Sequence, residues 1–270
     1  MSLSKLEQNP KAWVYDIESF NNLFSAYFVN MVTGEKKCYL VYKEKNMLED
    51  LLNFLDSEEC ETLIGFNSYF YDDMMLSYLI ENRRALGTMD SDTLTHILCK
   101  ATDYIIKGNR AFRIRRTDWF KSVDLYKMLG FRRSNVSLKR IAVYLGMENI
   151  QDLPYPVGSN ILRENVDNVL KYNLLDVNVT KKLAHSASKE FKLREFMNDK
   201  FDSNFYNADS TYIGKIIFID KFNKKVPDGF KIYMNDLRKW KTPRATIKLS
   251  DVISDRVSFK TPRFKKILKD

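Results

Sequence analysis

The chain has 270 residues, 44% of them hydrophobic, a net charge of +9 and a pI near 9.2, which is enough apolar content for a real core and a positive excess that points to a polyanionic partner. No apolar run approaches the ~20 residues of a membrane span, and no partner membrane is expected. Cys38, Cys60 and Cys99 are too few and too scattered for a disulfide framework or a zinc pattern, and His96 and His185 alone exclude a histidine-rich metal centre. Met1–Glu7 has no apolar leader core, so a cytoplasmic, reducing compartment is expected.

Apolar alternation predicts strands over 11–18, 22–32 and 36–43, broken at Ser19–Asn22 and Thr33–Glu35, which makes an opening antiparallel meander. The first strand runs Ala12-Trp13-Val14-Tyr15-Asp16-Ile17-Glu18. Alternation turns Asp16 and Glu18 to one face, and paired like charges closing an apolar strand call for something positive between them. Met47–Leu55 has helical spacing, and the polar stretch closing it holds a second D-x-E, Asp56-Ser57-Glu58, read as solvated surface.

Thr62–Phe66 reads as a short buried strand delivering Asn67 into Asn67-Ser68-Tyr69-Phe70-Tyr71-Asp72. Helices follow near 71–83 and 90–106, then a strand over 118–125 and helices near 137–145 and 164–195. In the last helix Tyr172 and Asp176 stand i, i+4 and share one face. Tyr69 and Asp73 repeat that spacing without forming a separate site. Strands first, then strands alternating with helices, indicate an α/β domain with a mixed sheet covered by helices.

Beyond Phe196 a helix capped by Asp209 or Ser210 is predicted, then a turn at Pro227-Asp228-Gly229. Lys-Thr-Pro-Arg occurs at 241–244 and 260–263, and from 221 onward Lys and Arg outnumber Asp about three to one, with no Glu. The expected organisation is a main domain over 1–195 and a basic extension over 196–270, whose charge suits phosphate contacts.

Asp16, Glu18, Asp72 and Asp176 come from three distant segments, with the Tyr172 phenol beside the last. Like charges about 4 Å apart repel by roughly 4 kcal/mol at an effective dielectric near 20, so such a cluster needs cations. Hard divalent ions with oxygen ligands meet that need and can align water with a phosphodiester.

The order of these motifs, strand-end D-x-E, then N-x-x-x-Y-D, then helical Y-x-x-x-D, resembles the 3′→5′ proofreading exonuclease domain of bacteriophage DNA polymerases, the DEDD group with tyrosine in its last motif. Ser122–Lys127 and Ser137–Ala142 resemble that family's connecting elements. The resemblance spans roughly residues 10–190 and implies a ribonuclease-H-like fold, a single-stranded DNA 3′ end as substrate, two Mg²⁺ or Mn²⁺ ions and a DNA polymerase domain or subunit as partner.

By that resemblance Asp16 and Asp176 hold the first metal, Glu18 shares it, Asp16 bridges to the second, and Asp72 helps hold the second. Tyr172 orients the attacking water, since a pKa near 10 suits a base poorly. Asp73 rivals Asp72, and the family pattern of an acid directly after an aromatic favours Asp72. Asn67 and Tyr71 are expected to place the terminal nucleotide and Leu125 to pack against a base; ordinary core packing is the competing reading for Tyr71 and Leu125. Trp13, Trp119 and Phe120 are expected in the core rather than stacked on bases.

The family's lysine between the second and third motifs has no counterpart in Asp152–Gly158, which leaves Lys139, Arg140 or Arg163 as substitutes. Neither Y-x-D-T-D nor S-L-Y-P-S, the marks of a polymerase palm, occurs, so the chain is expected to be an exonuclease subunit or a piece of a longer polymerase. An RNA-trimming relative and a silent DNA- or polymerase-docking module remain the alternatives.

Overall fold

A computed structural model describes residues 3–107, 121–131, 134–233, 235, 245–246, 248 and 260–269. Trp119, Phe120 and the first Lys-Thr-Pro-Arg lie outside the described residues.

Strands β1 (Ala12–Phe20), β2 (Leu23–Asn30) and β3 (Lys36–Tyr42) form the expected antiparallel meander, edged by the short β4 (Lys45–Asn46). Helix α1 (Leu48–Leu55) leads into β5 (Thr62–Gly65), which pairs parallel to β1. Helices α2 (Asp72–Glu81), α3 (Arg83–Leu86) and α4 (Ser91–Lys107) precede β6 (Lys121–Asp124), parallel to β5. The sheet order is β4-β3-β2-β1-β5-β6, an antiparallel meander extended by two parallel strands, which is the ribonuclease-H-like arrangement.

Alternation along β1 sorts its side chains between two cores. Trp13, Tyr15 and Ile17 pack with α1, α2 and α4 through Leu51, Phe54, Met75, Leu76 and Leu98. Trp13 is 2% exposed and its indole N–H donates to the Glu59 carbonyl at 2.9 Å, so it is a core residue and no stacking platform. Ala12 and Val14 face the other way, into a core built with α5 (Leu125–Met128), α6 (Leu138–Tyr144), α7 (Val166–Ser186) and α8 (Ser188–Phe201).

The single helix expected over 164–195 is two, parted at Ala187, which leaves helical dihedrals at φ −91°, ψ 19°. Ala187 packs into the core there, and the change of direction lets Phe191 pack into the same core. Neither Pro nor Gly marks the break, so it has no local signal.

The first compact unit runs Met1–Gly214 and the second Lys215–Asp270. Residues 196–214 sit with the first because Asn207 and Ala208 bond back to its body: Asn207 Nδ2 donates to the Ser122 carbonyl at 2.8 Å, and Arg194 Nη2 donates to the Ala208 carbonyl at 2.9 Å. Helix α9 (Ser210–Asn223) is capped by Asp209, whose carboxylate accepts from Tyr212 N at 2.8 Å. In the second unit Asn223 bonds both backbone groups of Ile232, and α10 (Pro262–Lys269) starts on the proline of the second Lys-Thr-Pro-Arg.

Asp73, with zero exposure, ties α2 to the sheet from below. Tyr15 Oη donates to its Oδ1 at 2.5 Å and Ser122 Oγ to its Oδ2 at 2.5 Å, so one carboxylate joins β1, β6 and α2. Tyr15→Phe removes one of these two donors from a buried carboxyl group. It is expected to cost about 1–3 kcal/mol in urea denaturation, and an unchanged midpoint would show the bond to be dispensable.

Candidate metal centre

Asp16 and Glu18 stand opposite Tyr27 and Ser25 of β2, on the face of the sheet covered by α7. That helix carries Tyr172, Asn173, Asp176 and Thr180 on its inward side, a polar stripe at i, i+1, i+4 and i+8. Together the strand and helix bring one carboxylate oxygen each from Asp16, Glu18 and Asp176 within 4.8 Å of one another. Asp72 is not in that group of three, yet it lies close enough that the charge of Asp16 is the largest electrostatic influence on it.

Burial acts on all four groups, and repulsion by neighbouring acids on Asp16, Glu18 and Asp72. Burial, then the charge of Asp176, pushes Asp16 well above the usual carboxylate range, against the Asn173 amide that donates to it at 2.7 Å. Glu18 is raised by burial and by Asp16 and Asp176. Asp72 is raised by burial, then by Asp16. Burial lifts Asp176 to about 6, against a Tyr172 hydrogen bond and the charge of Lys139.

Among the described residues, no Lys or Arg ion-pairs with any of these four carboxylates. An all-oxygen set with so little compensation fits a hard divalent cation such as Mg²⁺ or Mn²⁺.

Tyr172 is 7% exposed, and its hydroxyl hydrogen-bonds Asp176 as the i, i+4 spacing predicts. Burial and the neighbouring acids raise its pKa, so it stays a neutral phenol. Lys139, on α6, is the one of the three candidate substitutes whose charge acts on Asp176, while its ammonium pairs with Asp152.

The second motif occupies the turn from β5 to α2. Gly65 must be glycine: a Cβ there would collide with the Ser68 side chain and sit 3.2 Å from Tyr15 Cε1. Asn67 takes the left-handed conformation (φ +59°), which Asn tolerates better than other side chains. Asn67 is exposed, and Tyr71 is half-buried with its hydroxyl 3.1 Å from Thr102 Oγ1.

At the end of the turn, Asp72 and Asp73 take opposite duties. Asp73 is engaged by Tyr15 and Ser122 under the sheet, which leaves Asp72 as the acid beside Asp16. The second D-x-E stays on the surface, with Asp56 paired to Arg83 Nη1 at 2.7 Å and Glu58 exposed.

Leu125 corrects the base-packing expectation. It has zero exposure and lies in the core with Val123, Met128 and Val177, so it presents no face to a base. The reason is that α5 begins where β6 ends, so its first residue packs into the core with Ile64 of β5 and Val177 of α7.

Two buried residues lie outside the sequence expectations. Asn173 has zero exposure and donates to Asp16, and the one sequence signal for it is its place beside Tyr172 on the polar stripe of α7. Asp124 has zero exposure and accepts from the backbone N–H groups of Asn67 and Tyr69.

Without cations the centre is pH-sensitive in a defined direction. Folded Asp176 and Asp124 hold protons up to about pH 6 against an ordinary 3.8, so between about pH 4 and 6 the native state binds more protons than the unfolded chain. Stability therefore falls as pH rises through that window. The full chain in EDTA is expected to melt lower at pH 8 than at pH 5, and Mg²⁺ or Mn²⁺ at pH 8 to restore the loss. A melting temperature that climbs with pH in EDTA contradicts this.

No family model matches the sequence, and no curated protein matches it significantly. Among solved structures the chain is similar to the family B DNA polymerase from the hyperthermophilic archaeon Pyrobaculum calidifontis, at 18% identity and a TM-score of 0.44. The match covers 65% of this chain and 24% of that polymerase, so the chain spans about a quarter of the polymerase it resembles.

Proposed function

We propose that the chain is a metal-dependent 3′→5′ exonuclease that hydrolyses phosphodiester bonds at single-stranded DNA 3′ ends and proofreads in phage DNA replication, as part or subunit of a DNA polymerase. The observation that carries this reading is the convergence of Asp16, Glu18 and Asp176 within 4.8 Å, from motifs far apart in sequence, with Tyr172 bonded to the last. Polarity and preference for DNA come from the resemblance of the motifs.

Asp16, Glu18 and Asp176 would hold one cation, and Asp16 with Asp72 a second. When bound, Mg²⁺ or Mn²⁺ lowers the pKa of a coordinated water and offsets charge on the phosphate. Tyr172, kept a phenol by its surroundings, donates to Asp176 and turns its oxygen towards the attacking water, which it orients without removing its proton. The water oxygen bonds to phosphorus as its proton passes to solvent, the bond from phosphorus to the 3′ oxygen of the preceding sugar breaks, that oxygen takes a proton from solvent, and a mononucleotide departs.

Asn67, exposed on the turn, and Tyr71, half-buried at its end, would help place the terminal nucleotide. Lys139 supplies positive charge next to Asp176, where the family's lysine is missing. The basic stretch from 221 onward would hold the strand through its phosphates.

Purified full-length protein with Mg²⁺ or Mn²⁺ is expected to shorten 3′-ended single strands to mononucleotides. Asp16→Ala combined with Glu18→Ala should reduce this to background while the melting temperature in EDTA holds or rises, because two repelling buried acids are gone. Undiminished hydrolysis by the double variant refutes the site. Tyr172→Phe is expected to lower kcat roughly 10- to 100-fold, the usual effect of losing a partner that orients the centre. Faster cleavage of a matched RNA strand favours the RNA-trimming alternative, and tight binding of intact DNA in the presence of metal favours a docking module.

A further inference from the structure

Asp124 is a fully buried carboxylate that the chemistry above leaves unused. It ends β6, level with Gly65 at the end of β5. Its Oδ1 accepts from Asn67 N at 2.8 Å and Tyr126 N at 2.9 Å, and its Oδ2 accepts from Tyr69 N at 3.3 Å. Only the Tyr126 bond belongs to a helix cap. The other two reach the turn of the second motif, where Asn67 is left-handed and the N–H groups of Asn67 and Tyr69 converge on this one carboxylate.

Asp124 is itself held from behind. Its backbone N–H donates to Asn207 Oδ1 at 2.7 Å, and Asn207 Nδ2 donates to the neighbouring Ser122 carbonyl at 2.8 Å. Arg194, with zero exposure, fastens the next residue by donating to the Ala208 carbonyl at 2.9 Å and ties it to α5 through the Met128 carbonyl at 2.7 Å. The turn is thus pinned near its start by Asp124 and at its end by Asp73, and Asp72 lies immediately before the second pin.

We propose that Asp124, held by Asn207, is a positioning residue that sets the Asn67–Tyr71 turn and through it the reach of Asp72 to the other carboxylates. The inference rests on the nuclease reading and draws residues 196–214 into the working site.

The test uses full-length Asp124→Asn and Asn207→Ala, with Glu195→Gln as control. Glu195 is another buried carboxylate accepting a backbone N–H, from Leu6 at 3.0 Å, and takes no part in the turn. Both variants are expected to lower kcat roughly 10- to 100-fold with KM for a single strand little changed, and to weaken Mn²⁺ binding by calorimetry about 10-fold. Glu195→Gln is expected to lower the melting temperature while kcat and Mn²⁺ affinity hold.

If Asp124→Asn does not fold, Asn207→Ala decides, since it removes only the brace. Wild-type kcat and Mn²⁺ affinity in a folded brace variant overturn the inference, as does an equal loss in the control. A wild type that binds Mn²⁺ but cleaves nothing sinks the nuclease reading instead, while the Mn²⁺ comparison still judges the brace.

Discussion

Period-two geometry of a single strand governs this molecule. Along β1, Asp16 and Glu18 point to the α7 side while Tyr15 and Ile17 point to the α2 side. The strand that presents the acids therefore also carries, one residue away and on the opposite face, the hydroxyl that anchors α2 through Asp73. A slip of one residue in register would exchange the two faces, bury the acids among Phe54 and Met75, and abolish the anchor. Pairing on both sides, antiparallel to β2 and parallel to β5, holds the register.

The acids themselves work against the fold. Burial raises the pKa of each of Asp16, Glu18 and Asp72, and a neighbouring acid adds to it, Asp176 on Asp16 and Asp16 on both Glu18 and Asp72, so charge added to the group is costly. A loose scaffold would relieve this by letting the side chains swing into water. Here α7 lies across β1 and β2, with Val169, Val177 and Thr180 buried beneath it, and Asn173 ties the helix to Asp16. Rigidity keeps the acids together, and divalent charge is the natural counterweight to the strain that remains.

A second consequence concerns Asp72, which no regular element of the sheet carries. It arrives by an irregular turn, and irregular backbone has many conformations to choose from. The choice is narrowed by Gly65, by the left-handed Asn67, and by two buried carboxylates on either side of the turn, Asp124 and Asp73. Both belong to a hydrogen-bonded tie that begins at Arg194 and Asn207, so chain well beyond the third motif takes part in shaping the second.

The sequence alone determined whatever depends on local periodicity and on charge. Alternation marked β1, β2 and β3, i, i+4 spacing placed Tyr172 against Asp176, and a D-x-E closing an apolar strand was told from its copy at Asp56 by the polarity of the surroundings. Tertiary structure alone engaged Asp73 beneath the sheet, buried Leu125, broke the long helix at Ala187, and gave Asp124, Asn173 and Asn207 their hydrogen bonds. The partners in those bonds lie 49 to 157 residues apart, as between Ser122 and Asp73 or Asn173 and Asp16, and no local pattern records such a meeting. A hydrogen bond depends on where two groups end up, and only the packing of α2, α7 and the 205–208 segment onto the sheet brings these groups within reach of one another.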